Sequence, residues 1–364
     1  MTDIAASPLT VRQLVPPATL DAPDAGPFLR MIEIANASCR RDSGHGDLDE
    51  DPREALVSWH DQTDCGRTGF VTERDGEIIG VANLLYPQEV GATSAEFDLW
   101  IMPDRWGEGA EEALLAAVEA EARSLGRTSI QIFTLHRPGG TGPTLAPSTG
   151  WGTIPADDRQ TMFCLENGLT LEQVERNSAF DMRGSFKVVE RMLDEALEKA
   201  GSDYRLVAWT SPTPEAYEEG LAYAISRMST DAPQGGLDVD EEKWDAERIR
   251  RRDARLQAQG FTVSVACVEH APTGRIAAYT ELAIAADHSG ATHQWGTLVL
   301  KEHRGNRLGA IMKCANLLRW RELVPESPRV STFNAEENRH MLAINEALGF
   351  APVSYAGAWK KVLD

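Results

Sequence analysis

Leu298-Val299-Leu300-Lys301-Glu302-His303-Arg304-Gly305-Asn306-Arg307-Leu308-Gly309-Ala310 is the stretch that decides the reading of this chain. An apolar, strand-like run enters a basic turn with two glycines, and the turn opens a helix. The first turn of a helix leaves N–H groups unpaired and carries a partial positive charge. Gly305 and Gly309 remove side chains where the backbone must approach a ligand. Successive N–H groups can then cradle phosphate oxygens. Between 301 and 313, Lys301, Arg304, Arg307 and Lys313 stand against Glu302, a net of +3 in a chain of formal net charge −20. That local sign is what an anion site requires. The turn is not a Walker loop, because Gly-x-x-x-x-Gly-Lys-Ser/Thr is absent. It is not a dinucleotide fingerprint either, because Gly-x-Gly-x-x-Gly is absent.

The same pattern occurs twice. Asp75-Gly76 sits between two strand-like runs, Phe70-Val71-Thr72 and Ile78-Ile79-Gly80-Val81-Ala82. Thr273-Gly274 sits between Val263-Ser264-Val265-Ala266 and Ile276-Ala277-Ala278-Tyr279. Both read as strand, tight turn, strand. Gly76 precedes Gly107 by 31 residues and Gly274 precedes Gly305 by 31, so the copies are offset by 198. At that offset the stripe Ala110, Ala113, Leu114, Ala117, Val118 becomes Leu308, Ile311, Met312, Ala315, Asn316. Its spacing is that of one helix face. Several matches at one offset imply duplication of one α/β unit (α+β, mixed sheet) around a central sheet. Phe186, Val189, Leu193, Ala196 and Ala200 form a helical stripe between the copies, capped by Ser185 and ended by Gly201. The expected organisation is a first domain over 1–184, a joining helix over 185–202 and a second domain over 203–364. The Pro- and Gly-rich run 138–143 reads as a tolerated loop of the first copy.

The order strand, Arg-Gly-x-x-Leu-Gly turn, helix, then Thr332-Phe333-Asn334-Ala335-Glu336-Glu337-Asn338, then Asn345-Glu346-Ala347-Leu348-Gly349-Phe350, resembles the GCN5-related N-acetyltransferase (GNAT) superfamily. More narrowly it is similar to the tandem-domain type that includes mycothiol synthase. The family's diphosphate loop has the form Gln/Arg-x-x-Gly-x-Gly/Ala. Arg304 takes its first position, Arg307 stands where the first Gly is usual, and Gly309 takes the last. The resemblance implies two tandem acyl-CoA N-acyltransferase domains, with an acetyl-CoA site in the second. It implies donor contacts from Leu298, Val299, Leu300, Arg304, Gly305, Asn306, Arg307, Leu308, Gly309, Ala310, Asn334 and Asn338. It also implies direct attack of an amine on the thioester, which needs hydrogen-bond donors for the developing oxyanion, a base for the ammonium and an acid for the thiolate.

The expected proton-transfer residues are Glu281 as base and Tyr355 as acid, with Asn345 at the position where many relatives carry Tyr. Asn345 can donate a hydrogen bond but cannot release a proton. His303 reads as a capping or cofactor contact, and Asp231, in the loop 228–238, as a loop Asp within reach of the acceptor. In the first copy the turn is Pro103-Asp104-Arg105-Trp106-Gly107-Glu108-Gly109-Ala110-Glu111. Over 103–115, Asp104, Glu108, Glu111 and Glu112 outweigh Arg105 for a net of −3, so a diphosphate would meet carboxylates there. The first domain is therefore expected not to bind acyl-CoA in this mode.

Composition bounds the rest. A length of 364 residues with 42% hydrophobic and 25% charged residues fits two ordinary globular domains. The strong acidity repels nucleic acid and anionic membranes. No apolar run reaches the length of a bilayer span, and residues 1–17 show no leader pattern, so a cytoplasmic protein is expected, monomer or homodimer. Cys39, Cys65, Cys164, Cys267 and Cys314 are scattered without a Cys-x-x-Cys pair, which argues against disulfides and structural zinc. Asp47-Leu48-Asp49-Glu50-Asp51 is no calcium loop, because Pro52 replaces the required Gly and Ser58 the bidentate Glu. The expected partner is a small-molecule amine, with no metal. The alternative is an acyl-CoA-binding or regulatory module without catalysis.

Overall fold

The computed structural model describes residues 8–364, and residues 1–7 of the N-terminal stretch read above lie outside the described residues. In chain order the elements are β1 (Thr10–Leu14), α1 (Gly26–Ser43), α2 (Pro52–His60), β2 (Cys65–Arg74), β3 (Glu77–Pro87), β4 (Ser94–Ile101), α3 (Ala110–Ser124), β5 (Ser129–His136), the short β6 (Thr144–Leu145) and β7 (Ile154–Pro155), α4 (Arg159–Glu166) and β8 (Thr170–Asp181). Then come α5 (Lys187–Ala200), β9 (Tyr204–Thr210), α6 (Glu215–Ser226), α7 (Met228–Asp231), α8 (Ala246–Gln259), β10 (Thr262–His270), β11 (Arg275–Ile284), β12 (Thr292–Val299), α9 (Leu308–Leu323), β13 (Arg329–Ala335), α10 (Arg339–Leu348) and β14 (Ala351–Val362). Among the described residues no helix is long and apolar enough to cross a membrane.

The repeat is visible in the element bounds. β3 and β11 begin at 77 and 275, β4 and β12 span 94–101 and 292–299, and α3 and α9 begin at 110 and 308. Each of these pairs keeps the offset read from the glycines. The turns keep it too: Gly107 and Gly305 have φ of +85° and +88°, and Gly109 and Arg307 have φ of +86° and +56°. The backbone needs a left-handed residue just before each helix, which glycine adopts without strain and Arg307 adopts at a cost.

The chain folds as two compact units that interleave in sequence. One comprises residues 8–174 with Gly235–Asp240 and Ala356–Asp364; the other comprises Glu175–Gln234 and Glu241–Tyr355. β8 and β14 are thus each divided between units, and the joining helix α5 belongs to the second. The first unit's sheet runs β1-β2-β3-β4-β5 and then takes the second half of β14. Phe28, Trp59, Val71 and Val81 are in its core, with Phe28 edge-on to Trp59 at 5.9 Å. Trp359 of β14 is fully buried in this unit, and its Nε1 donates to Thr134 Oγ1 at 2.9 Å.

The second unit's sheet runs β9-β10-β11-β12-β13 and then takes the second half of β8. Alternation along β10 sorts its two faces. Val263, Val265 and Cys267 pack with α6 and α8, while Ala266 and Val268 pack with α5 and α9. The period is that of a strand buried on both sides. Small residues on the α9 side, Ala266, Ala277 and Ala278, leave room for the helix backbone to come close. β12 and β13 pair in parallel only at Thr292↔Val330 and His293↔Ser331, and then separate. That separation opens the sheet where the candidate site lies.

Candidate functional site

β12 ends at Val299, and Lys301–His303 forms one 3-10 turn before Arg304 leads into α9. Among the described residues, the backbone N–H groups of residues 305–309 donate to no protein acceptor. They surround the N-terminus of a 16-residue helix, where the helix dipole adds positive potential. Arg304 is held by two main-chain carbonyls, Nε to Val299 O at 3.2 Å and Nη2 to Asp231 O at 3.2 Å. No carboxylate neutralises it among the described residues. Its charge is therefore fixed in position and uncompensated, as a preorganised anion receptor requires. Lys301 Nζ lies 3.3 Å from Asp231 Oδ1, and Arg227 donates to the same oxygen at 2.5 Å. Burial works to raise the Asp231 pKa, but hydrogen bonds from Lys301 and Thr230 and the nearby cations outweigh it and hold the carboxyl below its ordinary range.

Asp231, Arg304 and the turn into α9 line a cavity of about 1050 Å³ within the second unit. Of the residues expected at the donor site, Leu298, Val299, Arg304, Gly305, Arg307, Leu308, Gly309, Ala310 and Asn338 line it. Asn338 also caps α10, its Oδ1 accepting from Met341 N at 3.3 Å. Leu300 is instead buried in the core cluster formed with α6 and α8. Asn306 supports the turn from behind, its Nδ2 donating to Tyr204 Oη and to His303 O, each at 3.1 Å. His303 Nδ1 meets the same Tyr204 hydroxyl at 3.2 Å. Burial, followed by the charge of His270, lowers the His303 pKa.

The expected proton-transfer residues do not converge on the cavity. Both oxygens of Glu281 are taken by Arg252, Nη1 to Oε1 and Nη2 to Oε2 at 2.8 Å each, in a pair with side chains only 4% and 11% exposed. Its carboxylate is held in a buried ion pair, and Glu281 does not line the cavity. Asn345 is buried on α10, its Nδ2 donating to Asn334 Oδ1 at 2.7 Å, and neither side chain lines the cavity. Tyr355 is half-buried on β14, near Arg176. Lys313 requires a correction. The sequence counted it among the cations of the turn, but it is 1% exposed, its Nζ has no hydrogen-bond partner, and its nearest ring is Phe350 at 5.3 Å. Burial lowers its pKa to about 7, and it does not line the cavity beside the turn.

The cavity wall also includes residues that the sequence reading missed. α5 contributes Arg191, Met192 and Glu195, and α10 contributes His340, Met341 and Ile344. The α5 stripe revealed the face that packs on α9. Nothing in its spacing indicated that the neighbouring face borders a cavity.

β12 carries one further feature. Between Thr280↔Thr297 and Leu282↔Gln294 it uses one residue more than β11, which is a bulge at Trp295-Gly296. Tyr279 lies over it, and a Cβ at 296 would sit 2.5 Å from the Tyr279 hydroxyl oxygen. The counterpart pair β3 and β4 runs without a break from Gly80↔Ile101 to Leu85↔Glu96.

The first unit's turn is closed by its own side chains. Gly107 N donates to Glu111 Oε1 at 2.6 Å, and Glu111 is 2% exposed. Burial raises the Glu111 pKa against the pull of the amides it accepts from. Glu108 pairs with Arg74 and with Arg105. Trp106 stands edge-on to Phe163 at 6.0 Å, with Arg159 over its ring at 4.5 Å. The space beside it is about 30 Å³, lined by Trp100, Trp106, Phe133 and Phe163 among others.

Residues 29–137 match the model of the Acetyltransferase (GNAT) family. The whole chain superposes on a tandem GNAT protein from the clavulanic acid biosynthesis pathway with a TM-score of 0.72, covering 98% of this chain and 99% of that one at 22% identity. Residues 29–137 form a GNAT-family domain, and the chain has the tandem GNAT fold. A GCN5-related N-acetyltransferase from Sphaerobacter thermophilus superposes with a TM-score of 0.61 at 14% identity, covering 98% of this chain and 97% of that one. A glucosamine N-acetyltransferase region of a fungal multi-domain β-N-acetylglucosaminidase gives 0.63 at 13% identity, covering 98% of this chain and 38% of that one. Curated protein sequences give no match. The family match falls on the copy whose turn keeps glycine at both left-handed positions; the second copy of this tandem GNAT chain has Arg307 at one of them.

Proposed function

We propose that the second unit binds an acyl-CoA, acetyl-CoA in the first instance, and transfers its acyl group to the amine of a small molecule. One observation carries this reading. Unpaired amides and an uncompensated Arg304 sit at the mouth of a cavity that reaches the splayed end of β12. The diphosphate binds the amides of residues 305–309, with Arg304 as its cationic partner. The pantetheine arm follows Leu298 and Val299 toward the opening between β12 and β13. The bulge interrupts the β11–β12 ladder, and an N–H there can hold the thioester oxygen as charge develops on it. The acceptor amine attacks the carbonyl carbon, the C–S bond breaks and CoA leaves as the thiol. The net acidity of the chain favours arrival of a cationic amine.

None of Glu281, Tyr355 and Asn345 lines the cavity, so none of the three takes the acceptor proton directly. That same observation favours a second reading, an acyl-CoA-binding module without turnover. Calorimetry with acetyl-CoA and thiol release with a panel of amines separate the two. Turnover on any amine supports transfer, whereas saturable binding without turnover supports the module. The first unit binds no acyl-CoA in this reading, because Glu111 already occupies the position a phosphate would take.

A further inference from the structure

The joining helix α5 brings charge to the cavity from outside the phosphate turn. Arg191 Nε lies 3.8 Å from Glu195 Oε1, and Arg307 Nη1 lies 3.7 Å from Glu195 Oε2. Two guanidinium groups, one on α5 and one on the residue that precedes α9, thus share one carboxylate, and all three residues line the cavity. One carboxylate leaves a net positive charge between two forks that suit phosphate oxygens. All three side chains are more than half exposed, so they can rearrange around a ligand. Arg304 and Lys301 flank the turn on the side of β12 and α7, while Arg307 and Arg191 flank it on the side of α5. If the pantetheine arm takes the β12 side, the nucleotide end of the donor leaves on the α5 side.

We infer that Arg191 and Arg307 form a second anion subsite, which recognises the phosphomonoester on the 3′ position of the CoA ribose. Glu195 holds the two cations together until that phosphate displaces it. This inference rests on the proposed donor site and adds a specificity to it. The second unit selects full acyl-CoA over donors lacking the 3′-phosphate, such as 3′-dephospho-CoA thioesters or acylated phosphopantetheine. Arg191 is a specificity-determining residue and takes no part in the transfer step.

The test is calorimetric binding of acetyl-CoA and 3′-dephospho-acetyl-CoA to the full chain and its variants. The full chain should bind acetyl-CoA about tenfold or more tightly than the dephospho form, the contribution of one charge-assisted phosphate contact. Arg191→Ala should abolish that preference by weakening acetyl-CoA alone. Arg321→Ala removes another α5–α9 ion pair, with Glu190 at 3.7 Å, and should keep the preference. Equal binding of the two donors by the full chain would overturn the inference and leave the donor site standing. Arg191→Ala weakening both donors alike would overturn it in the same way. Absence of binding by either donor would remove both the subsite and the donor site on which it rests.

Discussion

At the scale of single residues, two buried or pinned cations behave in opposite ways. Arg304 is fixed by carbonyls and left charged, so its loss should be felt by the ligand and hardly by the fold. Arg304→Ala should weaken acetyl-CoA binding by about 10- to 100-fold, the ~1.5–3 kcal/mol of a hydrogen bond to a charged group. Arg105→Ala, in the first unit, should leave that binding unchanged, and calorimetry checks both. Lys313 is the reverse, a buried amine that destabilises the fold. Its pKa is lowered from 10.5 to about 7 on folding, so the unfolded chain holds one more proton between those values. The cost is fully present below pH 7, and it is relieved as pH rises from 7 to 10.5. Lys313→Met should therefore raise the melting temperature most below pH 7, on the order of a few kcal/mol of stability. That gain should shrink toward pH 10, and thermal melts of both chains across this range decide the matter.

At the scale of elements, the bulge in β12 distinguishes the two copies as sharply as the turn does. Gly296→Ala would press a methyl group into Tyr279 at the bulge. Thiol release should fall while acetyl-CoA affinity changes little, because the turn lies beyond the end of the strand; equal losses in both would show a general collapse of β12. Much of this level was legible in the sequence. Paired glycines at one spacing located both hairpins and both turns, because positive φ restricts residue choice whatever the surroundings. The apolar stripes located α3 and α9 for a similar reason. The bulge was not legible, because one extra residue in a strand changes no composition. The pairing of Glu281 was not legible for another reason: its partner Arg252 comes from α8, and single-chain patterns do not encode such a contact. Lys313 looked like a surface cation, although its helix face turns inward against Phe350.

At the scale of the whole molecule, the first unit is completed by a strand distant in sequence. Trp359, near the C-terminus, is in the first unit's core and donates to Thr134 of β5. Trp359→Ala should cost about 3–5 kcal/mol, the usual loss for a buried Trp. Hydrogen exchange should then rise in β5 and spare α9. One unit of the pair should accept the nucleotide, while Glu111 closes the turn of the other. A crystal structure with bound acetyl-CoA addresses it most directly. The diphosphate should rest on the amides of residues 305–309 beside Arg304, with the thioester at the opening between β12 and β13. A nucleotide seated on residues 105–111 of the first unit, or none in either unit at saturating ligand, would contradict the account.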